Sequence, residues 1–283
     1  MLTDAQRAAL AARLRQNRSG RADTAAGPVV QLGREGAPAF AVHAVSGTVH
    51  EYGALARELD GTYRVSGIAA ARDVPVADLA VLADRYAGLI RGAHPDGPYR
   101  LVGWSMGGVL AYETARRLAG AGGRVELVAL IDAPCRPVDR YADSEEGLAA
   151  LFVAEALRNA GHEATAPDPT APVARQLELV AERLADERSE RALLAGELAR
   201  RHATFVAHTT ALAGYRPTGP LDAAAVLVHA AGSPDSTADW ARLFGGGVRS
   251  LHVAAGHHDC LRLPTVASIA EAIRAVPTTR STP

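Results

Sequence analysis

The stretch that decides the fold is a short turn with three glycines around a serine, Gly103-Trp104-Ser105-Met106-Gly107-Gly108. The apolar run before it, residues 99–102, predicts a buried strand, and residues 109–118 after it carry apolar side chains at helical spacing. A strand, a Gly-x-Ser-x-Gly turn and a helix are together typical of a nucleophile elbow, which holds a serine hydroxyl above the edge of a sheet. We therefore predict that Ser105 is a nucleophile. The alternative is a glycine-rich turn with an incidental serine.

A reactive serine of this kind needs backbone N–H groups that stabilise the negative charge formed on the substrate oxygen. We expect one of them from Met106, because the first N–H groups of a helix have no intrahelical acceptor and favour negative charge. The second is expected from the loop that follows an early strand, residues 43–47. Within that loop we assign the role to Val45.

The serine also needs a base and an acid that orients the base, in the chain order serine, acid, histidine. Two acids fit this order: Asp132 ends the strand after the elbow helix, and Asp235 follows the next strand. We favour Asp132, because active-site groups collect at the carboxyl ends of parallel strands. Imidazole titrates near neutral pH, and two histidines, His257 and His258, stand in the loop after the last strand. The other histidines are expected to be structural or exposed, with His43 at the mouth of the site.

The composition excludes several classes of function. A net charge of -1 over 283 residues gives no support to binding of nucleic acid or of a membrane surface. The two cysteines, Cys135 and Cys260, form neither a disulfide framework nor a metal-binding spacing. No apolar run approaches the length of a membrane span, and the N-terminus lacks the apolar core of a signal peptide. We therefore expect a cytoplasmic protein without a metal and without a nucleic-acid or membrane partner.

The alternation of strand and helix patterns predicts an α/β fold with a mainly parallel sheet and helices on both faces. The predicted strands are residues 28–32, 38–44, 63–69, 97–104, 123–132, 223–230 and 248–254. The predicted helices are residues 49–59, 76–91, 109–118, 145–159, 172–185, 189–212, 236–244 and 264–276. Residues 28–134 and 216–283 would form the core, and residues 135–215 a helical insertion that acts as a lid. Residues 1–27 would form an N-terminal helix and a linker.

Together these blocks resemble the thioesterase domains of nonribosomal peptide and polyketide synthases, which have the α/β-hydrolase fold. The resemblance covers residues 28–276, although residues 135–215 match only in length and helical character. It is carried by an opening block, a nucleophile block and an acid block. The opening block is Phe40-Ala41-Val42-His43 with Ser46-Gly47 and with Tyr52, Leu55, Ala56 and Leu59 of the next helix. The nucleophile block is Gly103-Trp104-Ser105-Met106-Gly107-Gly108 with Ala111-Tyr112-Glu113, and the acid block is Leu130-Ile131-Asp132. In the Gly-x-His block, residues 256–258, the resemblance assigns the base to His258 and leaves His257 in the variable position. The loop after the opening block departs from the family, since Ala44 and Ser46 replace the usual proline and first glycine.

The resemblance implies a mechanism and a partner. A carrier protein would present an acyl or peptidyl chain as a thioester on its phosphopantetheine arm, and Ser105, deprotonated by His258, would take over the chain as an ester. Water, or a hydroxyl or amine of the chain itself, would then release an acid, a macrolactone or a macrolactam. No cofactor is required, and the protein is expected to be a monomer or a weak dimer.

Three alternatives stay open. A stand-alone editing thioesterase would strip wrong acyl groups from carriers, but its usual Pro-His-Ala-Gly-Gly opening is absent from this sequence. A generic esterase or lipase is a further alternative within the enzymes. Outside the enzymes, a carrier-binding pseudoenzyme would fail to acylate Ser105, and the presence of Ser105, Asp132 and His258 argues against it.

Overall fold

The computed structural model describes residues 28–72, 74–135, 142–160, 162, 168–185 and 187–277. The helix and linker predicted for residues 1–27 lie outside the described residues. Most of the predicted strands and helices fall within them, so the sequence pattern can be compared with the structure element by element.

Seven strands of the described residues form one sheet. They are β1 Val29–Gln31, β2 Ala37–Val42, β3 Tyr63–Ile68, β4 Tyr99–Trp104, β5 Val125–Ile131, β6 Ala224–His229 and β7 Val248–His252. Their order is β1-β3-β2-β4-β5-β6-β7, and every neighbouring pair is parallel except β1 with β3. Val42 lies opposite Gly103, and Ile131 lies opposite both Trp104 and Val228, so the carboxyl ends of β2, β4, β5 and β6 share one edge. The predicted α/β class with a mainly parallel sheet is confirmed.

The α-helices of the described residues follow the predicted pattern closely. They are α1 Gly53–Leu59, α2 Leu79–Ala93, α3 Met106–Gly120, α4 Glu145–Asn159, α5 Val173–Leu184, α6 Arg188–Ala213, α7 Thr237–Ala241 and α8 Thr265–Arg274. The helix predicted over 49–59 begins instead with a 3-10 turn, His50–Tyr52. No side chain caps the start of α1, and the tighter turn satisfies a backbone group through the bond from Tyr52 N–H to Val49 C=O. A second 3-10 turn, His257–Asp259, lies in the predicted loop after β7.

Helices cover the sheet on both faces. Val102 of β4 and Ile131 of β5 belong to one buried cluster with Leu55 of α1 and Ile269 of α8. Neighbouring strand residues point to opposite faces, yet Leu101 is also fully buried, and α3 contacts both β4 and β5. Because fully burying a large aliphatic side chain stabilises a fold by about 1.5–3 kcal/mol, the near-continuous apolar runs of β4 and β5 favour a strand covered on both sides.

The chain divides into two compact units. The described residues of the smaller unit are 28, 142–160, 162, 168–185 and 187–202, and those of the larger unit are 29–72, 74–135 and 203–277. In the smaller unit, Ser144 Oγ caps α4 by accepting the Gly147 N–H at 3.0 Å. Gln176 of α5 donates to the Glu146 carbonyl at 3.0 Å, which joins α5 to α4. The role of a lid for this insertion stays a prediction. None of the helices in the described ranges combines the length and the apolarity needed to cross a membrane.

Candidate active site

Ser105 stands between β4 and α3 in a backbone conformation that residues other than glycine seldom adopt, with φ 57° and ψ -130°. Such a conformation costs free energy and persists only where the surroundings hold it. Here the Ser105 N–H donates to the Ile131 carbonyl at 2.9 Å, and α3 begins at the next residue. The chain therefore reverses from strand to helix within one residue, as the sequence predicts for a nucleophile elbow.

Three glycines make this reversal possible. A Cβ on Gly103 would lie 2.0 Å from the Gly107 carbonyl oxygen, and a Cβ on Gly107 would lie 2.4 Å from the Val42 oxygen. A Cβ on Gly108 would lie 2.5 Å from the Cβ of Ala133. All three distances are far inside van der Waals contact, so any larger residue would push β2, β4 or the end of β5 away from α3.

Asp132 and His257 form the second half of the candidate site. Oδ2 of Asp132 lies 2.5 Å from Nδ1 of His257 and also accepts the Ser233 hydroxyl at 2.9 Å. Oδ1 accepts the Ala230 N–H at 3.0 Å. Burial alone would raise the pKa of Asp132, but the hydrogen bonds from His257, Ala230 and Ser233 together hold that pKa below its ordinary value. The carboxylate therefore stays charged and fixes the His257 ring.

The structure corrects the choice between the two histidines. The resemblance assigned the base to His258, yet His257 is the residue that faces Asp132, and His258 is exposed. The two residues share the 3-10 turn His257–Asp259, in which successive side chains point about 120° apart. Only one of them can reach Asp132, and the residue nearer to β7 does so.

Trp104 contacts His257 through a hydrogen bond to its backbone and through its ring. Its Nε1–H donates to the His257 carbonyl at 3.0 Å, and the two ring centroids are 4.9 Å apart. The His257 side chain keeps 33% of its surface exposed, against 6% for Asp132. The imidazole is thus fixed by its backbone and by Nδ1, and it remains accessible to a reacting molecule.

The competing acid, Asp235, lies in a different set of contacts. Its Oδ1 accepts the Thr237 N–H at 2.8 Å, and its Oδ2 lies 3.3 Å from His252 Nε2. These bonds, first of all those from Thr237, lower the pKa of Asp235 to about 2. Among the described residues, Asp235 has no bond to His257, so the geometry supports Asp132 as the acid that faces the imidazole.

Asp235, His229 and His252 are the group within the described ranges that comes nearest to a metal site. The two rings are stacked, however, with centroids 4.9 Å apart and planes only 29° from parallel. The lone pairs of an imidazole lie in the plane of its ring, so two stacked rings do not direct their nitrogens at one ion. The arrangement fits a hydrogen-bonded turn better than a chelate.

Tyr52 joins the two strands that lead into the site, and its role was missed at the level of sequence. Its hydroxyl donates to the Val42 carbonyl at 2.6 Å and accepts the Trp104 N–H at 2.7 Å. The side chain is fully buried, and burial raises its pKa well above the ordinary value, so it remains a neutral phenol. Tyr52 thereby fixes the end of β2 against the end of β4.

The two predicted oxyanion donors, Met106 and Val45, follow the two strands that Tyr52 joins. Met106 is the first residue of α3, and the Val45 N–H donates no hydrogen bond within the described part of the chain. The loop that holds Val45 comes close to α3, because Gly107 lies directly against the carbonyl groups of Val42 and His43. Their assignment as oxyanion donors stays a prediction.

Comparisons with known proteins indicate the family of this chain. A family model described as thioesterase domain matches residues 37–275. The inactive atromentin synthetase invA6 of Paxillus involutus is 34% identical over 129 residues, which are 43% of this chain and 13% of that protein. The thioesterase frbE of Dothideomycetidae sp. (strain 11243) is 30% identical over 127 residues, 42% of this chain and 49% of frbE. A dimodular nonribosomal peptide synthase of Bacillus subtilis (strain 168) is 33% identical over 122 residues, 41% of this chain and 5% of that protein. The aligned part therefore spans half or less of each of these relatives.

Solved structures that are similar to this chain also include a thioesterase domain. The NocB thioesterase domain, solved as a covalent complex with a fluorophosphonate nocardicin G analog, is 25% identical with a TM-score of 0.56; the match covers 88% of this chain and 98% of that one. The four-domain nonribosomal peptide synthetase holo-AB3403, bound to AMP and glycine, is 22% identical with a TM-score of 0.71. That match covers 89% of this chain and 20% of the synthetase, and it is a likeness of fold.

Proposed function

Because the chain belongs to the thioesterase domain family, we propose that it releases an acyl or peptidyl chain from the phosphopantetheine thioester of a carrier protein, through an ester on Ser105. The observation that carries the proposal is the hydrogen bond from His257 Nδ1 to Asp132 at the sheet edge where the elbow presents Ser105. Relatives that are parts of long synthases support a carrier protein as the partner.

The tautomer of His257 gives the direction of proton transfer. The Asp132 carboxylate accepts hydrogen bonds, so Nδ1 carries the proton and Nε2 of the neutral ring is the base. Nε2 takes the proton of the Ser105 hydroxyl while the oxygen attacks the thioester carbonyl carbon. The tetrahedral oxyanion accepts hydrogen bonds from the N–H groups of Met106 and Val45. When the C–S bond breaks, the proton passes from Nε2 to the departing thiol, and the chain remains as an ester on Ser105.

Release repeats these steps with a second nucleophile. Water gives up a proton to Nε2 of His257, attacks the ester and yields a linear acid. A hydroxyl or amine of the bound chain does the same and yields a macrolactone or a macrolactam. Ser105 recovers its proton from Nε2 in either case, so the protein's own residues balance both reactions without a cofactor.

The first test is the mass of the intact protein after treatment with a fluorophosphonate. We expect one adduct on the wild type, none on Ser105→Ala, and one on the matched control Ser66→Ala, which replaces a serine of β3 outside the site. Absence of an adduct from the wild type would contradict the proposal and favour the carrier-binding pseudoenzyme, a reading of interest because one relative is named inactive.

The second test separates product release from editing. Wild type and Ser105→Ala are mixed with a carrier protein that bears a long acyl or peptidyl thioester. In a parallel experiment the same carrier bears an acetyl thioester. We expect faster release of the long chain, with linear and cyclic products distinguished by mass. Preferential release of acetate would instead favour the stand-alone editing thioesterase.

A further inference from the structure

Two buried histidines form hydrogen bonds to the backbone of the loop of residues 43–47, one from within the loop and one from α6, and neither is the proposed catalytic base. His43 is fully buried and His208 of α6 is 1% exposed. Their rings are stacked, with centroids 4.7 Å apart and planes 16° from parallel. A buried polar ring without hydrogen bonds would destabilise the fold, so the partners of these two rings indicate what they hold in place.

The proton positions on His43 follow from its partners. Nδ1 lies 2.7 Å from the Ala44 carbonyl, which can only accept, so Nδ1 carries the proton. Burial, and then the nearby His208, lower the pKa of His43 to about 3, so the ring is neutral and its Nε2 is an acceptor. Nε2 lies 2.5 Å from the hydroxyl of Tyr86, which therefore donates to it. The Tyr86 hydroxyl therefore donates to His43, and His43 in turn donates to the Ala44 carbonyl.

The hydrogen bond from His43 to the Ala44 carbonyl sets the direction of the Val45 N–H. The Ala44 carbonyl and the Val45 N–H belong to the same planar trans peptide, so they point in opposite directions. The Ala44 oxygen accepts from His43 and also from the Gly47 N–H at 3.0 Å. Once that oxygen is fixed on one side, the Val45 N–H must point to the other.

His208 fixes the next peptide in the same way. Its Nδ1 lies 3.0 Å from the Val45 carbonyl and must be the donor, because a carbonyl oxygen has no proton to give. Burial lowers the pKa of His208, although the bond to Val45 opposes this shift, so the ring is neutral at physiological pH. The two peptides on either side of the Val45 Cα are thus each held by one histidine.

We propose that His43 and His208 are positioning residues that aim the Val45 N–H at the developing oxyanion, with Tyr86 setting the tautomer of His43. The proposal deepens the proposed function and depends on it. It explains how a loop with Ala44 and Ser46 in place of proline and glycine keeps one defined conformation: side-chain donors fix two successive carbonyl groups.

The test compares leucine with asparagine at each histidine. The amide nitrogen of asparagine lies near the position of Nδ1, so it retains the donor, whereas leucine fills the space without one. Because loss of one oxyanion donor costs about 10²–10³ in rate, we expect His43→Leu and His208→Leu to lower kcat by about tenfold or more with KM little changed. We expect His43→Asn and His208→Asn to recover most of that loss. His252→Asn, at an exposed histidine outside the site, is the matched control.

Two further measurements separate positioning from folding. Thermal unfolding shows whether each variant is folded, and Tyr86→Phe, which removes only a hydroxyl, provides a conservative second variant that should also lower kcat. An alkyl trifluoromethyl ketone, which forms a tetrahedral adduct with a serine, should bind the leucine variants more weakly in proportion to the loss of kcat.

The outcomes distinguish this proposal from the proposed function. If the wild type forms the fluorophosphonate adduct and turns over, yet folded His43→Leu and His208→Leu keep wild-type kcat and ketone affinity, the positioning proposal is overturned alone. If the wild type forms no adduct, the proposed function itself is overturned. Equal losses of kcat in folded leucine and asparagine variants would also contradict positioning through a donor at Nδ1.

Discussion

Nδ1 of His257 lies 2.5 Å from Oδ2 of Asp132, and this hydrogen bond distinguishes His257 from its exposed neighbour His258. We expect His257→Ala to lower kcat by about 10⁴-fold or more, because the base that activates the serine is lost. His258→Ala should leave kcat little changed, and it is the natural control because it removes an identical side chain one residue away. Steady-state hydrolysis of an acyl thioester measures both. A severe loss in His258→Ala with an active His257→Ala would restore the assignment that the resemblance implied.

We expect the loss of the Asp132 carboxylate to lower kcat about as much as the loss of His257. In Asp132→Asn the side chain can donate a proton to Nδ1, which favours the wrong tautomer of His257, and we expect a loss of kcat of about 10⁴-fold. Asp235→Asn is the matched control, because this carboxylate bonds Thr237 and His252 instead. A fully active Asp132→Asn beside an inactive Asp235→Asn would show that the acid acts from the other strand.

Local pattern was sufficient for most of the fold. The helix of residues 145–159 has the predicted bounds, and β4, β5 and β7 lie within the predicted ranges, because burial on one or both faces leaves a clear period in the sequence. The elbow could also be predicted, since its glycines stand beside the strand and the helix that need them. These features depend on neighbours in the chain.

The parts of the site that depend on distant residues could not be predicted. His208 lies 163 positions from Val45, and Ser233 lies 101 positions from Asp132, so no local period joins them. The choice between His257 and His258 depends on how one 3-10 turn faces Asp132, and two identical adjacent residues give no sign of that. Tyr52 could be matched to a family block, but its bonds to Val42 and Trp104 become visible only when β2 and β4 are paired.

Gly108 and Gly120 provide a matched test of the packing at the elbow, since both lie in α3. A Cβ on Gly108 would overlap the Cβ of Ala133, whereas a Cβ on Gly120 would meet nothing within 4 Å. We expect Gly108→Ala to destabilise the protein by about 1–3 kcal/mol and to lower kcat, because α3 must move away from Ala133 and so from the neighbouring Asp132. Gly120→Ala should be neutral or stabilising by up to about 1 kcal/mol. Urea denaturation gives the stability of the two variants, and a steady-state assay gives their kcat. Equal stability of the two variants would contradict the close approach of Gly108 to Ala133.

Tyr52→Phe tests the link between β2 and β4. Removal of the hydroxyl leaves the Val42 carbonyl and the Trp104 N–H buried without this partner, at a cost of about 1–3 kcal/mol for each group. We expect a lower melting temperature together with a lower kcat, since both strands lead into the site. Tyr99→Phe is the control: its hydroxyl donates to the Pro95 carbonyl at 3.0 Å, at the other end of β4, and kcat should not change. An unchanged melting temperature in Tyr52→Phe would show that the two bonds add little.

The buried His43 should make stability depend on pH. Burial and the stacked His208 hold its pKa at about 3 in the folded protein, against an ordinary value of 6.5. Between these values the unfolded chain binds a proton that the folded chain does not, so the free energy of unfolding rises with pH, by up to about 1.4 kcal/mol per pH unit from this group. The contribution is complete above pH 6.5 and is lost progressively as the pH falls toward 3. We expect His43→Asn to flatten the dependence between about pH 4.5 and pH 6.5 in urea denaturation. Ser66→Ala, which removes no titratable group, should keep the wild-type slope, and an equally steep slope in His43→Asn would contradict the protection of His43.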